Sequence, residues 1–83
     1  MAKVQRVMRA GLSFPLAARS VLEQDAGGVT GVAKRHGVNR TALSALLGGS
    51  ARSPYIRERE VLALELGVTR KWLDNELQRA AQS

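Results

Sequence analysis

Apolar positions along this chain recur at spacings of three and four, and strand-like alternation is nearly absent. Val4, Val7 and Met8 form the first such group, in a stretch that reads either as one short helix ending near Gly11 or as an extended piece. Ser13 and Pro15 mark a helix start, because serine caps a helix and proline is tolerated in its first turn. Leu16, Ser20 and Val21 then share one face, and Asp25-Ala26-Gly27-Gly28 ends the helix. Thr30 is placed to cap the next one, which runs through Val32, Ala33 and His36 and stops at Gly37. Asn39 opens another, with Ala42, Leu43, Leu46 and Leu47 facing inward. Beyond the loop at 48–52, Ser53-Pro54 starts a helix that reaches Leu66 and meets Gly67 as its stop. Thr69 caps a last helix over RKWLDNEL, and QRAAQS reads as a fraying tail. No internal repeat and no low-complexity segment stands out. The pattern predicts an all-α bundle of five short helices, or six if the arm is helical. The arm covers residues 1–14, the main domain 15–78 and the tail 79–83.

With 83 residues, the chain has room for one small domain. A domain of this size buries roughly 60–65% of its unfolded surface, so its core is thin. Cysteine is absent, which removes disulfides and thiolate metal sites. One histidine and seven scattered carboxylates make a poor metal cluster, and no cofactor is expected. Only Phe14, Tyr55 and Trp72 are aromatic, so aliphatic packing must build the core, with Trp72 and Leu73 inside it. No apolar run approaches the roughly 18–20 residues of a membrane span. The basic start MAKVQRVMRAG is not followed by the apolar stretch of a secretory signal. The expectation is a soluble cytoplasmic protein with no membrane partner and no small-molecule ligand.

Charge sharpens the picture. The net value is +6, and it is unevenly placed. Residues 1–20 carry +4 and residues 29–57 carry +5, neither with a single acid, while residues 58–83 sum to −1. An asymmetry of this kind points to a polyanion on one side of the molecule.

The middle of the basic stretch, AKRHGVNRTALS over residues 33–44, gathers most of the candidate chemistry. His36 has no neighbouring Ser, Cys or Asp in a catalytic arrangement, and at i+4 from Val32 it reads as a half-buried structural imidazole. A turn between two crossing helices explains the segment better. Ala33 is small where the helices cross, Gly37 can take positive φ, and Val38 plugs the angle. Leu43 and Leu46 anchor the second helix and leave Arg40, Thr41 and Ser44 on its free face. Asn39 either reads an adenine through its amide or caps this helix. Gly48-Gly49-Ser50 lacks the lysine and the preceding strand of a nucleotide-binding loop, so it reads as a helix end.

VTGVAKRHGVNRTALSALLGG resembles the helix-turn-helix of the lambda-repressor-like superfamily of small phage and bacterial regulators. LALELGVTRKWL resembles the segment that those proteins carry after the recognition helix. The likeness spans residues 15–78 and departs at His36, where the family usually has an apolar side chain. GGV before the second helix also makes a longer connector. The resemblance implies a lambda-repressor-like DNA-binding fold in which the helix over 39–48 enters the major groove. It implies base contacts from Asn39, Arg40, Thr41 and Ser44. The backbone set comprises Ser50, Arg52 and Ser53, joined by Thr30, Lys34, Arg35 and Tyr55. It further implies a repressor that binds a palindromic operator as a homodimer, in a phage, prophage or plasmid circuit. Val61, Leu64 and Leu77 are candidates for the dimer interface, with the N-terminal arm as an addition to it; the alternative is that the arm itself covers Val61 and Leu64. Two other classes use the same fold: a DNA-binding antitoxin, and an interaction module or antirepressor that has lost DNA. The acid-free stretch over 29–57 speaks against the last. Nothing in the residues suggests an enzyme.

Overall fold

A computed structural model describes residues 1–50 and 54–82. Among these residues six helices follow one another: α1 (Lys3–Arg9), α2 (Phe14–Ala26), α3 (Gly28–His36), α4 (Arg40–Leu47), α5 (Ile56–Leu66) and α6 (Arg70–Ala81). No strand occurs among the described residues. No helix among them is long and apolar enough to cross a membrane.

The arm is therefore helical. Val4 is fully buried, and Val7 and Met8 pack on the core beside it. Lys3 Nζ meets Asp25 Oδ1 at 3.1 Å and ties α1 to the far end of α2. α2 is the central element and packs on every other helix. Its inward face is Phe14, Ala17, Ala18, Val21, Leu22 and Ala26. This corrects the expected face, since Leu16 is 60% exposed. Phe14 and Pro15 enter the helix directly after Ser13, which brings the Phe14 ring against Trp72 of α6, edge to face at 5.7 Å. Leu22, Val32, Leu43, Leu47, Leu62 and Leu73 complete the fully buried core, as the aliphatic composition requires.

Other boundaries move too. α3 starts at Gly28 and no side chain caps it, so Thr30 lies within its first turn and not at the cap. α5 starts at Ile56, not at Ser53-Pro54, because Tyr55 takes a left-handed conformation (φ 48°) and blocks an earlier start. α6 continues to Ala81, through most of the expected tail.

Two of the three dimer candidates belong to the chain's own core. Val61 and Leu77 are buried against α2 and its neighbours, at 8% and 5% exposure, because each lies on the inward stripe of its helix. Leu64 is 72% exposed and Ile56 59%.

The α3–α4 and α5–α6 pairs share one local build, with apolar positions that recur thirty residues apart. Gly37 and Gly67 both end a helix with positive φ, at 64° and 67°. Val38 N–H then donates to Ala33 O at 3.1 Å, and Val68 N–H to Ala63 O at 3.0 Å. Each pair thus has a helix closed by glycine, a valine plug, a cap residue, and then an arginine at the first helical position.

Candidate nucleic-acid interface

The interface begins with how α3 is placed on α2. Gly27 has φ 75° and serves both as the end of α2 and as the start of α3, so the chain reverses without a connector. Gly31 then lies against the last carbonyl of α2. A Cβ at position 31 would sit 2.5 Å from Ala26 O, a distance no side chain tolerates. Gly31 is thus the small residue that permits the close approach of α3 to the end of α2, a junction separate from the α3–α4 turn, where Ala33 is buried as expected.

After Gly37 and Val38, Asn39 is extended and caps α4. Its Oδ1 accepts from Thr41 N–H at 2.7 Å and from Ala42 N–H at 3.2 Å. Both lone pairs of that oxygen are thereby used, so the structure favours the cap over adenine reading. α4 buries Ala42, Leu43, Leu46 and Leu47, the four positions expected to face inward. Its other face presents Arg40 and Thr41, both exposed, with Ser44 half-buried behind them.

Arg40 and Ser44 line an open cleft of about 550 Å³ together with Arg19 and Thr30. Arg19 reaches in from α2 and donates from Nη2 to Ser44 O at 3.4 Å. Glu23 is the acid on this rim. Arg19, Lys34 and Arg40 have no acidic partner among the described residues. The sequence signal for Arg19 is the acid-free count over residues 1–20, which says that a basic surface exists but not that α2 shares it with α4. Ser50 is exposed just past α4, where its N–H donates to Ala45 O at 3.0 Å. Tyr55 is half-buried and packs on the core. Arg52 and Ser53 lie outside the described residues.

Arg35, one of the expected phosphate contacts, is engaged within the protein. Its Nη2 lies 2.7 Å from Glu65 Oε1 and its Nη1 donates to Ala26 O at 3.0 Å. The half-buried His36 shares the same carboxylate, with Nε2 at 2.8 Å from Glu65 Oε1. Its placement agrees with the structural imidazole expected of it. Arg35, hydrogen-bonded to Glu65, holds that carboxyl below its ordinary range; burial works the other way, and the bond to His36 adds to the lowering. Arg57 of α5 completes the junction by donating to His36 O at 3.0 Å. Glu65 and Arg57 carry no local signal in the sequence, since their partners lie 20 or more positions away.

Ion pairs gather instead on α5 and α6. Asp74 accepts from Arg59 at 3.0 Å and from Arg70 at 3.1 Å. Arg70 also lies 3.7 Å from Glu60, and Arg79 lies 3.3 Å from the buried Glu76. Arg59 further bonds Pro54 O.

No family model, curated protein or solved structure matches this chain.

Proposed function

We propose that this protein binds double-stranded DNA in a sequence-specific manner and regulates transcription, as a repressor. The observation that carries the reading is the contrast around α4. One face of the helix is sunk in the core, the other is open, and Arg19, Lys34 and Arg40 beside it form no ion pair among the described residues, with Glu23 the acid on the shared rim. On α5 and α6, by comparison, Arg59, Arg70 and Arg79 each meet an acid within the chain.

α4 enters the major groove in this reading. Arg40, Thr41 and Ser44 face base edges, and Arg40 is the side chain long enough to reach a guanine with two bonds. Asn39 holds the first turn of α4 in place. Arg19, Thr30, Lys34 and Ser50 meet the backbone, where phosphate contacts set orientation and affinity. The lambda-repressor-like resemblance supports the same arrangement, and steric exclusion of polymerase needs no further module.

A helix of eight residues reads only a few base pairs. Two copies on a near-palindromic site, their α4 helices about 34 Å apart, read enough to define an operator. With Val61 and Leu77 in the core, Leu64 remains as the exposed aliphatic side chain for that contact, and Ile56 stands on the same helix.

The test is selection of bound duplexes from a random pool, followed by titration of the winner over a salt series. We expect a near-palindromic site and a slope of log K against log salt of roughly −4 to −7 per dimer. A flat salt response, or no enriched sequence, would remove the reading.

A further inference from the structure

Arg35 and His36 form the last turn of α3, directly before the Gly37 bend that aims α4. Both side chains converge on Glu65 Oε1 of α5. Arg35 also reaches back to Ala26 O at the end of α2, and Arg57 of α5 grips His36 O. Three helices thus meet on one carboxylate and the guanidinium beside it.

The arrangement has a mechanical and an electrostatic consequence. Mechanically, the end of α3 is held to α5 at three points, so the direction in which α4 leaves the bend is set by α5. Electrostatically, Arg35 follows Lys34 in a stretch of 29 residues, 29–57, that contains no acid of its own. Its side chain is half exposed. Glu65 engages this guanidinium; without it, Arg35 becomes a long mobile cation next to Lys34. Any phosphate attracts such a cation, whatever the base sequence.

We infer that Glu65 is a positioning residue that sets the specificity of DNA binding. It withdraws Arg35 from phosphate and fixes the α3–α4 bend, leaving discrimination to Arg40 and its neighbours. This rests on the DNA-binding reading above and assigns a residue outside the DNA-facing surface a measurable effect on it.

The experiment compares wild type, Glu65→Gln, Arg35→Gln and the double variant, titrated with the selected operator and with an unrelated duplex of equal length over a salt series. Glu65→Gln is expected to bind the unrelated duplex more tightly. Its salt slope steepens by about 0.9, roughly eightfold per decade of salt, because the released Arg35 neutralises one more phosphate. The ratio of operator to unrelated affinity falls. Arg35→Gln keeps the wild-type slope, because its charge is already engaged inside the protein. The double variant returns to the wild-type slope, since the cation released by the first substitution is gone; a purely structural role for Glu65 would not produce this reversal.

An Arg35→Gln variant that loses about one unit of slope, as a phosphate contact does, overturns the proposal, and this arm stands even where Glu65→Gln fails to fold. A folded Glu65→Gln with unchanged slope and ratio overturns it equally. In both cases wild type still binds its operator, so the DNA reading survives. A wild type that binds no duplex overturns both together.

Discussion

The α3–α4 and α5–α6 pairs are built alike and used differently. Position 32 matches 62, 37 matches 67, and so on to 47 and 77. Leu43 and Leu73 are both fully buried, and Asn39 and Thr69 both cap the helix that follows. Arg40 and Arg70 both stand at the first helical position. Yet Arg40 has no acidic partner among the described residues, whereas Arg70 has Asp74 and Glu60. The turn with its glycine, valine and cap is a solution to helix crossing and says nothing about function. The acids decide which copy of the turn is left facing outward with uncompensated charge.

The strongest test of the shared build is the paired core leucines. Leu43→Ala and Leu73→Ala should each cost about 2–5 kcal/mol in urea unfolding, because both remove a fully buried side chain from the same core. A cost near zero in one of them would break the equivalence. The next test separates the uses. Arg40→Ala should cost about 1–3 kcal/mol at the preferred operator and flatten discrimination there. Arg70→Ala should leave operator affinity unchanged and lower stability by no more than about 1 kcal/mol, as partly exposed ion pairs do. Fluorescence anisotropy and thermal unfolding read the two quantities separately, and equal losses of operator affinity would erase the distinction.

The caps offer a finer comparison. Asn39→Ala and Thr69→Ala should each destabilise by about 1 kcal/mol. Asn39→Asp should keep the cap, whose accepting oxygen is retained, while weakening DNA binding through added negative charge. Loss of stability in Asn39→Asp equal to that of the alanine variant would show that the cap is not what the side chain provides. The smallest expected effect comes from acid. The folded-state pKa of Glu65 is lowered, so the unfolded chain binds its proton more readily. Its contribution to stability is complete above the ordinary carboxylate range and fades as pH falls through the lower folded value. Wild type should therefore lose more stability on acidification than Glu65→Gln, measured by urea unfolding over an acid series.

Five of the helices, the glycine stops at 37 and 67, and the four buried positions of α4 are legible in the sequence, because each follows from a signal within a few residues; the arm stays open there between a helix and an extended piece. Asn39 is ambiguous there; two hydrogen bonds to α4 give it the cap. Leu16 misleads, because three apolar or small positions at plausible spacing do not reveal which neighbours α2 has. That helix packs on five others, and its widest apolar stripe runs through alanines that a pattern of large side chains undervalues. The sequence pattern turns Val61 and Leu77 outward because other inward sites look sufficient, yet the core has room for both. The thirty-residue correspondence rests on six identities, at 33/63, 37/67, 38/68, 40/70, 43/73 and 47/77, and it does not stand out as a repeat because the intervening positions differ in charge and size.

The sequence by itself determined an all-helical chain, the places where its helices turn, and an excess of positive charge without neighbouring acids. These follow from local periodicity, backbone freedom and composition. The tertiary structure alone decided which cations remain available. Arg35 and Lys34 are adjacent in the chain and equal in charge, but only Arg35 finds Glu65, 30 residues away, and Ala26 O, nine residues away. Pairing in water-exposed surfaces depends on distance of a few ångströms in space, and separation along the chain carries no information about it until the helices have packed.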